Sequence, residues 1–232
     1  MPQHKVAVYL YPDSDLLDFS GPSEIYCHYH DPSFSGETPF SVTSFAHYDR
    51  VASACKGLVY VPNMSFEGMA AQIADYDVLV IPGAHDKTIT DMIASEEGKQ
   101  LSALIQKFAN TKPRPETGKR FLQSVCTGAI LVAASGVLAG RTVTTHHMGF
   151  DLLKQVADEA AGGDSKVNIV KQRYSDAGKT DAGVRIVNAG GVSSGIDATL
   201  YIVGEIYGKD KADFVAEIAE FDRREAAWGV EA

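Results

Sequence analysis

Apolar positions along this chain fall into short, nearly continuous runs separated by longer stretches of helical periodicity. Val6–Tyr11, Val78–Ile81 and Phe121–Val125 are runs of the first kind, as expected of strands buried on both faces. Pro22–His30, Glu67–Ile73, Ile89–Ala94 with Gln100–Ala109, and Thr127–Ser135 read as helices. Strands alternating with helices predict a parallel sheet wrapped on both sides. Phe40–Ala46 is a further candidate strand, and Val167–Tyr174 with Val184–Asn188 reads as a hairpin around Asp176-Ala177-Gly178. Two helix starts are signalled. Gly21-Pro22-Ser23-Glu24 puts proline at the first helical position and an acid in the first turn. Ser194-Gly195-Ile196-Asp197 has capping-box spacing. Thr111–Gly118 carries two prolines and reads as a surface loop rather than a domain boundary, so residues 1–232 are expected to form a single domain.

Composition narrows the function classes. The chain has 232 residues, 45% hydrophobic and 22% charged, enough to bury a core without disulfides or structural metals. A net charge of −9 disfavours nucleic acid or an anionic membrane as the principal partner. Three cysteines at irregular spacing do not make a disulfide framework. The first apolar run is too short for a secretory core, and no run approaches the ~18 residues of a membrane span. A cytoplasmic location is expected. Lys211–Ala227 reads as a solvated acidic helix.

The informative chemistry lies at Phe121-Leu122-Gln123-Ser124-Val125-Cys126-Thr127-Gly128-Ala129. An apolar strand runs directly into a small-residue helix, with Cys126 at the junction. Such a turn presents a nucleophile at the carboxyl end of a sheet, and Gly128 makes room for the backbone. The positive end of the helix is expected to lower the thiol pKa and make Cys126 the readily modified thiol. A buried structural cysteine is the alternative. Cys27 and Cys55 lack this setting.

Ser124-Val125-Cys126-Thr127-Gly128-Ala129, then Ala139-Gly140-Arg141 and Thr144-Thr145-His146, resemble the signature of the ThiJ/PfpI superfamily. The likeness extends to Leu17-Asp18-Phe19-Ser20-Gly21-Pro22, to Val80-Ile81-Pro82-Gly83, and to Ala189–Asp197, in the family's order. Within the superfamily the pattern is most similar to isocyanide hydratases and to the ligand-binding halves of AraC-type regulators. The resemblance implies a flavodoxin-like three-layer sandwich with a mostly parallel sheet, usually a homodimer, acting on a small-molecule substrate.

It also implies a site. Asp18 stands where the hydratase pattern has an aspartate beside the cysteine; taken alone, it reads more simply as a helix-capping carboxylate. The backbone N–H groups of Gly83, Ala84 and Thr127 are candidates for stabilising charge on a bound substrate, against the alternative of a plain strand-ending turn. Thr127 is either a hydrogen-bonding group or packing. His146 falls where some relatives place a histidine, and Val192 is a candidate apolar wall. Asp13 and Asp15 read as solvated turn residues. His146 and His147, adjacent on an expected strand, point to opposite faces and do not make a metal pair; His28 and His30 fail likewise on a helix. No metal or cofactor is implied.

The resemblance therefore points to a lyase that converts an isocyanide to an N-formamide through a thioimidate on Cys126, with Asp18 as proton donor. The alternatives are a stand-alone thiol-based sensor and a glyoxalase-type dicarbonyl enzyme, whose members generally pair the cysteine with glutamate and histidine. Amidotransferase chemistry is disfavoured by the lack of a downstream His-x-Glu, and the protease-like branch by Thr127 in place of histidine. A regulator's helix-turn-helix extension is not expected after the last helix.

Overall fold

The computed structural model describes residues 3–27 and 38–224; His28 and His30 lie outside the described residues. In chain order the strands are β1 (His4–Tyr9), β2 (Phe40–Ala46), β3 (Val51–Ala52), β4 (Val59–Tyr60), β5 (Met64–Ser65), β6 (Val78–Ile81), β7 (Phe121–Ser124), β8 (Thr142–Val143), β9 (Asn168–Ile169), β10 (Tyr174–Lys179) and β11 (Arg185–Ala189). The helices are α1 (Leu16–Cys27), α2 (Phe66–Gln72), α3 (Asp86–Ala94), α4 (Glu96–Ala109), α5 (Gly128–Ala134), α6 (Phe150–Ala161), α7 (Ser194–Tyr207) and α8 (Lys209–Ile218).

Seven strands form the central sheet in the order β10-β11-β7-β6-β1-β2-β5. All neighbours pair in parallel except β10, which runs antiparallel to β11 at the edge. Alternation sends Val6, Val8, Val78 and Val80 to one face, where they pack with residues of α1, α7 and α8. Ala7, Tyr9, Leu79 and Ile81 go to the other face, against α2 to α6. Both faces are thus covered, which is why the strands read as continuous apolar runs. The five long parallel strands follow the doubly wound order that reverses between β1 and β6. Ligands in such sheets bind at the carboxyl edge beside that reversal.

Four local expectations are corrected. α1 begins at Leu16, so Pro22 lies inside the helix and not at its first position. It removes the N–H that would bond the Asp18 carbonyl, while the hydroxyls of Ser20 and Ser23 hold the carbonyls of Leu16 and Phe19. The hairpin is displaced: Asp176-Ala177-Gly178 sits within β10 at a register shift, Gly178 having φ of 78°, and the chain turns between Thr180 and Gly183. The capping box does not form; the carboxylate of Asp197 instead takes Arg173 Nε at 2.6 Å and the Arg224 N–H at 2.7 Å. The acidic C-terminal helix ends at Ile218, and Ala212, Val215 and Ala216 bury one face of it.

Candidate functional site

Three strand ends build the site. β7 ends at Ser124, and Cys126 follows with φ of 55°, a left-handed conformation that a cysteine adopts only when its surroundings impose it. Here they do: Val125 N–H donates to Ile81 O at 3.0 Å, Cys126 N–H to Gly190 O at 2.9 Å, and Thr145 Oγ1 to Cys126 O at 2.7 Å. Gly128 allows the turn to lie against β6, since a Cβ there would come 2.3 Å from Ile81 O. The tight strand-to-helix turn expected at Cys126 is present.

β6 ends in Pro82-Gly83-Ala84, and this loop closes onto the β1 loop. Tyr11 Oη donates to Pro82 O at 2.9 Å and Asp15 N–H to Gly83 O at 2.8 Å, with a single antiparallel bridge between Ser14 and Ala84. The N–H groups expected to face a substrate are used internally. Gly83 N–H donates to Asp18 Oδ2 at 2.9 Å, and Ala84 N–H donates to Thr127 Oγ1 at 2.9 Å. The Thr127 hydroxyl returns a hydrogen bond to Ala84 O at 2.6 Å. Thr127 is therefore a clamp between the loops, with little left to offer a ligand, and Gly83 and Ala84 present no free donor. The Thr127 N–H is directed at the Cys126 sulfur, as is the N–H of Val192.

Val192 has a second role beyond the apolar wall expected of it. Its φ is 38°, a genuine outlier for a β-branched residue. That strain accompanies an N–H held over the sulfur. Sequence reading missed it because the side chain type argues against the conformation.

Asp18 is fully buried. Its Oδ1 is buried with no hydrogen-bonding nitrogen or oxygen, and Cys126 is hydrogen-bonded to the carboxyl group. One oxygen each of Asp15 and Asp18 and the Cys126 sulfur lie within 4.8 Å of one another. Among the described residues no lysine or arginine forms an ion pair with either carboxylate. Burial therefore raises the Asp18 carboxyl to about 8, opposed by the Gly83 N–H and reinforced by Asp15. Burial, then the charge of Asp18, pushes the Cys126 thiol up to about 12, against the N–H groups of Val192 and Thr127. This overturns the expected low thiol pKa. The helix after Cys126 is only seven residues long, and desolvation outweighs its dipole. Cys27 and Cys55 are exposed, whereas Cys126 is buried at the cavity. The thiol and the Asp18 carboxyl form one coupled unit that is protonated near neutrality.

A cavity of about 220 Å³ opens over this unit, lined by Cys126, Thr127, Asp15, Ala84, His146 and Val192 among others. Asp15 is half-buried in its wall, not a solvated turn residue. Asp13 does take the solvated role, paired with Lys56. His146 lies at the cavity, its pKa lowered by burial and by His147; Gly191 admits its ring, since a Cβ there would meet Cδ2 at 2.7 Å. His146 and His147 are on a turn rather than a strand, with ring centroids 4.4 Å apart. The opposite-face expectation therefore fails. No described helix is long and apolar enough to cross a membrane.

The isonitrile hydratase of Pseudomonas putida is 25% identical over 219 residues, covering 91% of this chain and 75% of that protein. A ThiJ/PfpI family protein from Pseudomonas syringae superposes with a TM-score of 0.70 at 22% identity, over 97% of this chain and 78% of that one. Schizosaccharomyces pombe DJ-1 gives 0.69 at 15% identity, over 94% and 100%. The sequence model described as ThiJ/PfpI family-like matches residues 28–151. With that match over more than half its length and the strand-to-helix turn, strand order and loop closure described above, the chain belongs to the ThiJ/PfpI-like family.

Proposed function

We propose that the chain is an isocyanide hydratase, a lyase that adds water to an isocyanide and releases an N-formamide. The observation that carries the reading is the pairing of a protonated, buried Asp18 with the Cys126 thiol. The terminal carbon of an isocyanide accepts a nucleophile and a proton at the same atom. A catalyst for that addition needs its acid beside its nucleophile, not across the substrate from it. Asp18 meets this requirement: no cation neutralises it, so it keeps its proton near neutrality, and one of its oxygens lies within 4.8 Å of the sulfur.

In the first half-reaction the sulfur bonds to the isocyanide carbon as the Asp18 proton passes to that carbon. The thiol proton moves to Asp18, and the product is the thioimidate Cys–S–CH=N–R. Addition of water then releases R–NH–CHO and restores the thiol. A cavity of about 220 Å³ suits a small substrate, and the distant relationship to the Pseudomonas putida isonitrile hydratase supports the same class. Oxidant sensing is the weaker reading, because it relies on a thiolate and burial opposes one here. In this reading the chain works in the cytoplasm as a homodimer, which rests on the family resemblance; light scattering that gives a monomer mass removes the dimer. The test of function is formamide release from an aryl isocyanide, run beside a dicarbonyl panel. Turnover lost in Cys126→Ala supports the reading, whereas wild-type protein inert toward isocyanides overturns it.

A further inference from the structure

The two carboxyl groups near the sulfur occupy different places. Asp18 is fully buried and contributes no surface to the cavity, whereas Asp15 forms part of its wall beside Cys126. Among the described residues no histidine nitrogen and no other carboxylate joins the group of three atoms within 4.8 Å. The Asp15 backbone is fixed at both ends, its N–H on Gly83 O at 2.8 Å and its carbonyl accepting the Asp18 N–H at 3.2 Å. Among the described residues no side chain hydrogen-bonds to its carboxylate. The titratable groups that face it are Asp18, Cys126, Tyr11, His146 and His85.

Resolution of a thioimidate needs a base that meets water entering from the cavity, and Asp15, unlike the fully buried Asp18, lines that cavity. We infer that Asp15 is that base: it takes a proton from the water attacking the thioimidate carbon. The inference rests on the hydratase reading. In the step, an O–C bond forms, the C=N π pair moves to nitrogen, and the water proton passes through Asp15 to that nitrogen. Collapse then makes the C=O bond, breaks the C–S bond and sends the hydroxyl proton to sulfur. Atoms and charge balance with no oxidant or reductant. Burial raises the Asp15 pKa and the two histidines lower it; the net rise makes it a better proton acceptor.

Asp15→Asn tests this because it acts oppositely on the two halves. It removes a negative charge that holds the thiol pKa up, so iodoacetamide alkylation of Cys126 at fixed pH speeds up. It also removes the base, so turnover falls by ~10²–10⁴ while a covalent adduct of one isocyanide per chain accumulates, seen by intact-mass spectrometry after acid quench. Asp15→Glu keeps a base and recovers part of the turnover. Wild-type turnover in Asp15→Asn, or lost turnover without adduct, overturns the role of Asp15 and leaves the hydratase reading standing. Wild-type protein that forms neither adduct nor formamide overturns both.

Discussion

Two of the fully buried aspartates among the described residues, Asp18 and Asp77, lie at opposite ends of the same sheet in very different surroundings. Asp77, just before β6 at the amino end, is surrounded by donors. Arg114 approaches with Nη2 at 2.6 Å and Nε at 3.0 Å, Thr117 Oγ1 donates at 2.7 Å, and the Lys5 N–H at 2.8 Å. Asp18, at the carboxyl end, has one backbone N–H, a thiol and no cation. A buried charge is tolerated when it is paired and hydrogen-bonded, and otherwise neutralises itself by taking a proton. Asp77 follows the first course and ties the 111–118 loop beneath the sheet. Asp18 follows the second, and burial raises its carboxyl to about 8. The contrast separates a carboxylate tied into the fold by cationic and hydrogen-bonding partners from one that, in the proposed function, is the acid.

The largest effects come from exchanging what each residue can do. Asp18→Asn keeps the side chain's shape and the bond from Gly83 but removes the acid. Formamide production should fall ~10²–10⁴-fold, with thermal melting little changed. Asp77→Ala should do the reverse: it strands a partly buried Arg114 and two further donors, the Thr117 hydroxyl and the Lys5 N–H, at a cost of about 3 kcal/mol in urea unfolding, while the folded fraction keeps its activity. If Asp18→Asn instead unfolds the protein at full specific activity, the contrast is broken.

Much of this was legible in the sequence, and the failures share a cause. Strand runs such as Val78–Ile81 declared themselves because burial on both faces is a local pattern. That Cys126 and Asp18 lie together was legible because a strand-to-helix turn and a motif fix their positions. The pKa order was not legible, since it depends on how many apolar atoms from β1, β6 and β7 close over one thiol. Nor was the fate of the Gly83 and Ala84 N–H groups, which is decided by side chains 65 and 43 residues away. Asp15 was misread because polar turn residues are usually solvated, and only the loop closure onto Gly83 draws it into the cavity wall. Pro22 misled because proline is commonest at a helix start.

The next effect is on stability against pH. The folded-state pKa of Asp18, about 8, lies above its unfolded value of ~3.9. The native state therefore binds more protons than the unfolded state between those values. Its contribution to stability is fully present below about pH 4 and is lost as pH rises through about 8. Urea unfolding across pH 5 to 8 should show a loss of up to ~1.4 kcal/mol per pH unit from this group, and Asp18→Asn should remove that slope. An equal slope in the variant would mean that Asp18 is ionised in the folded state, like an ordinary paired carboxylate.

The smallest effect concerns what stands in for a cation at the carboxyl end. There the sulfur is met by the N–H groups of Thr127 and Val192, and the second is held by a backbone strained at φ of 38°. Strain of this kind costs of order 1–3 kcal/mol, and Val192→Gly should relieve it. The same substitution frees the unfolded chain by about 0.4–1 kcal/mol and removes a side chain already 37% exposed. These terms oppose each other, so the net change in unfolding free energy should be within about 1 kcal/mol. The thiol should respond more clearly than the fold. With a glycine, the N–H is no longer pinned over the sulfur, the thiolate loses a donor, and alkylation of Cys126 should require higher pH. If the alkylation profile is unmoved while stability rises by the full strain energy, then the strain at Val192 does not serve the sulfur.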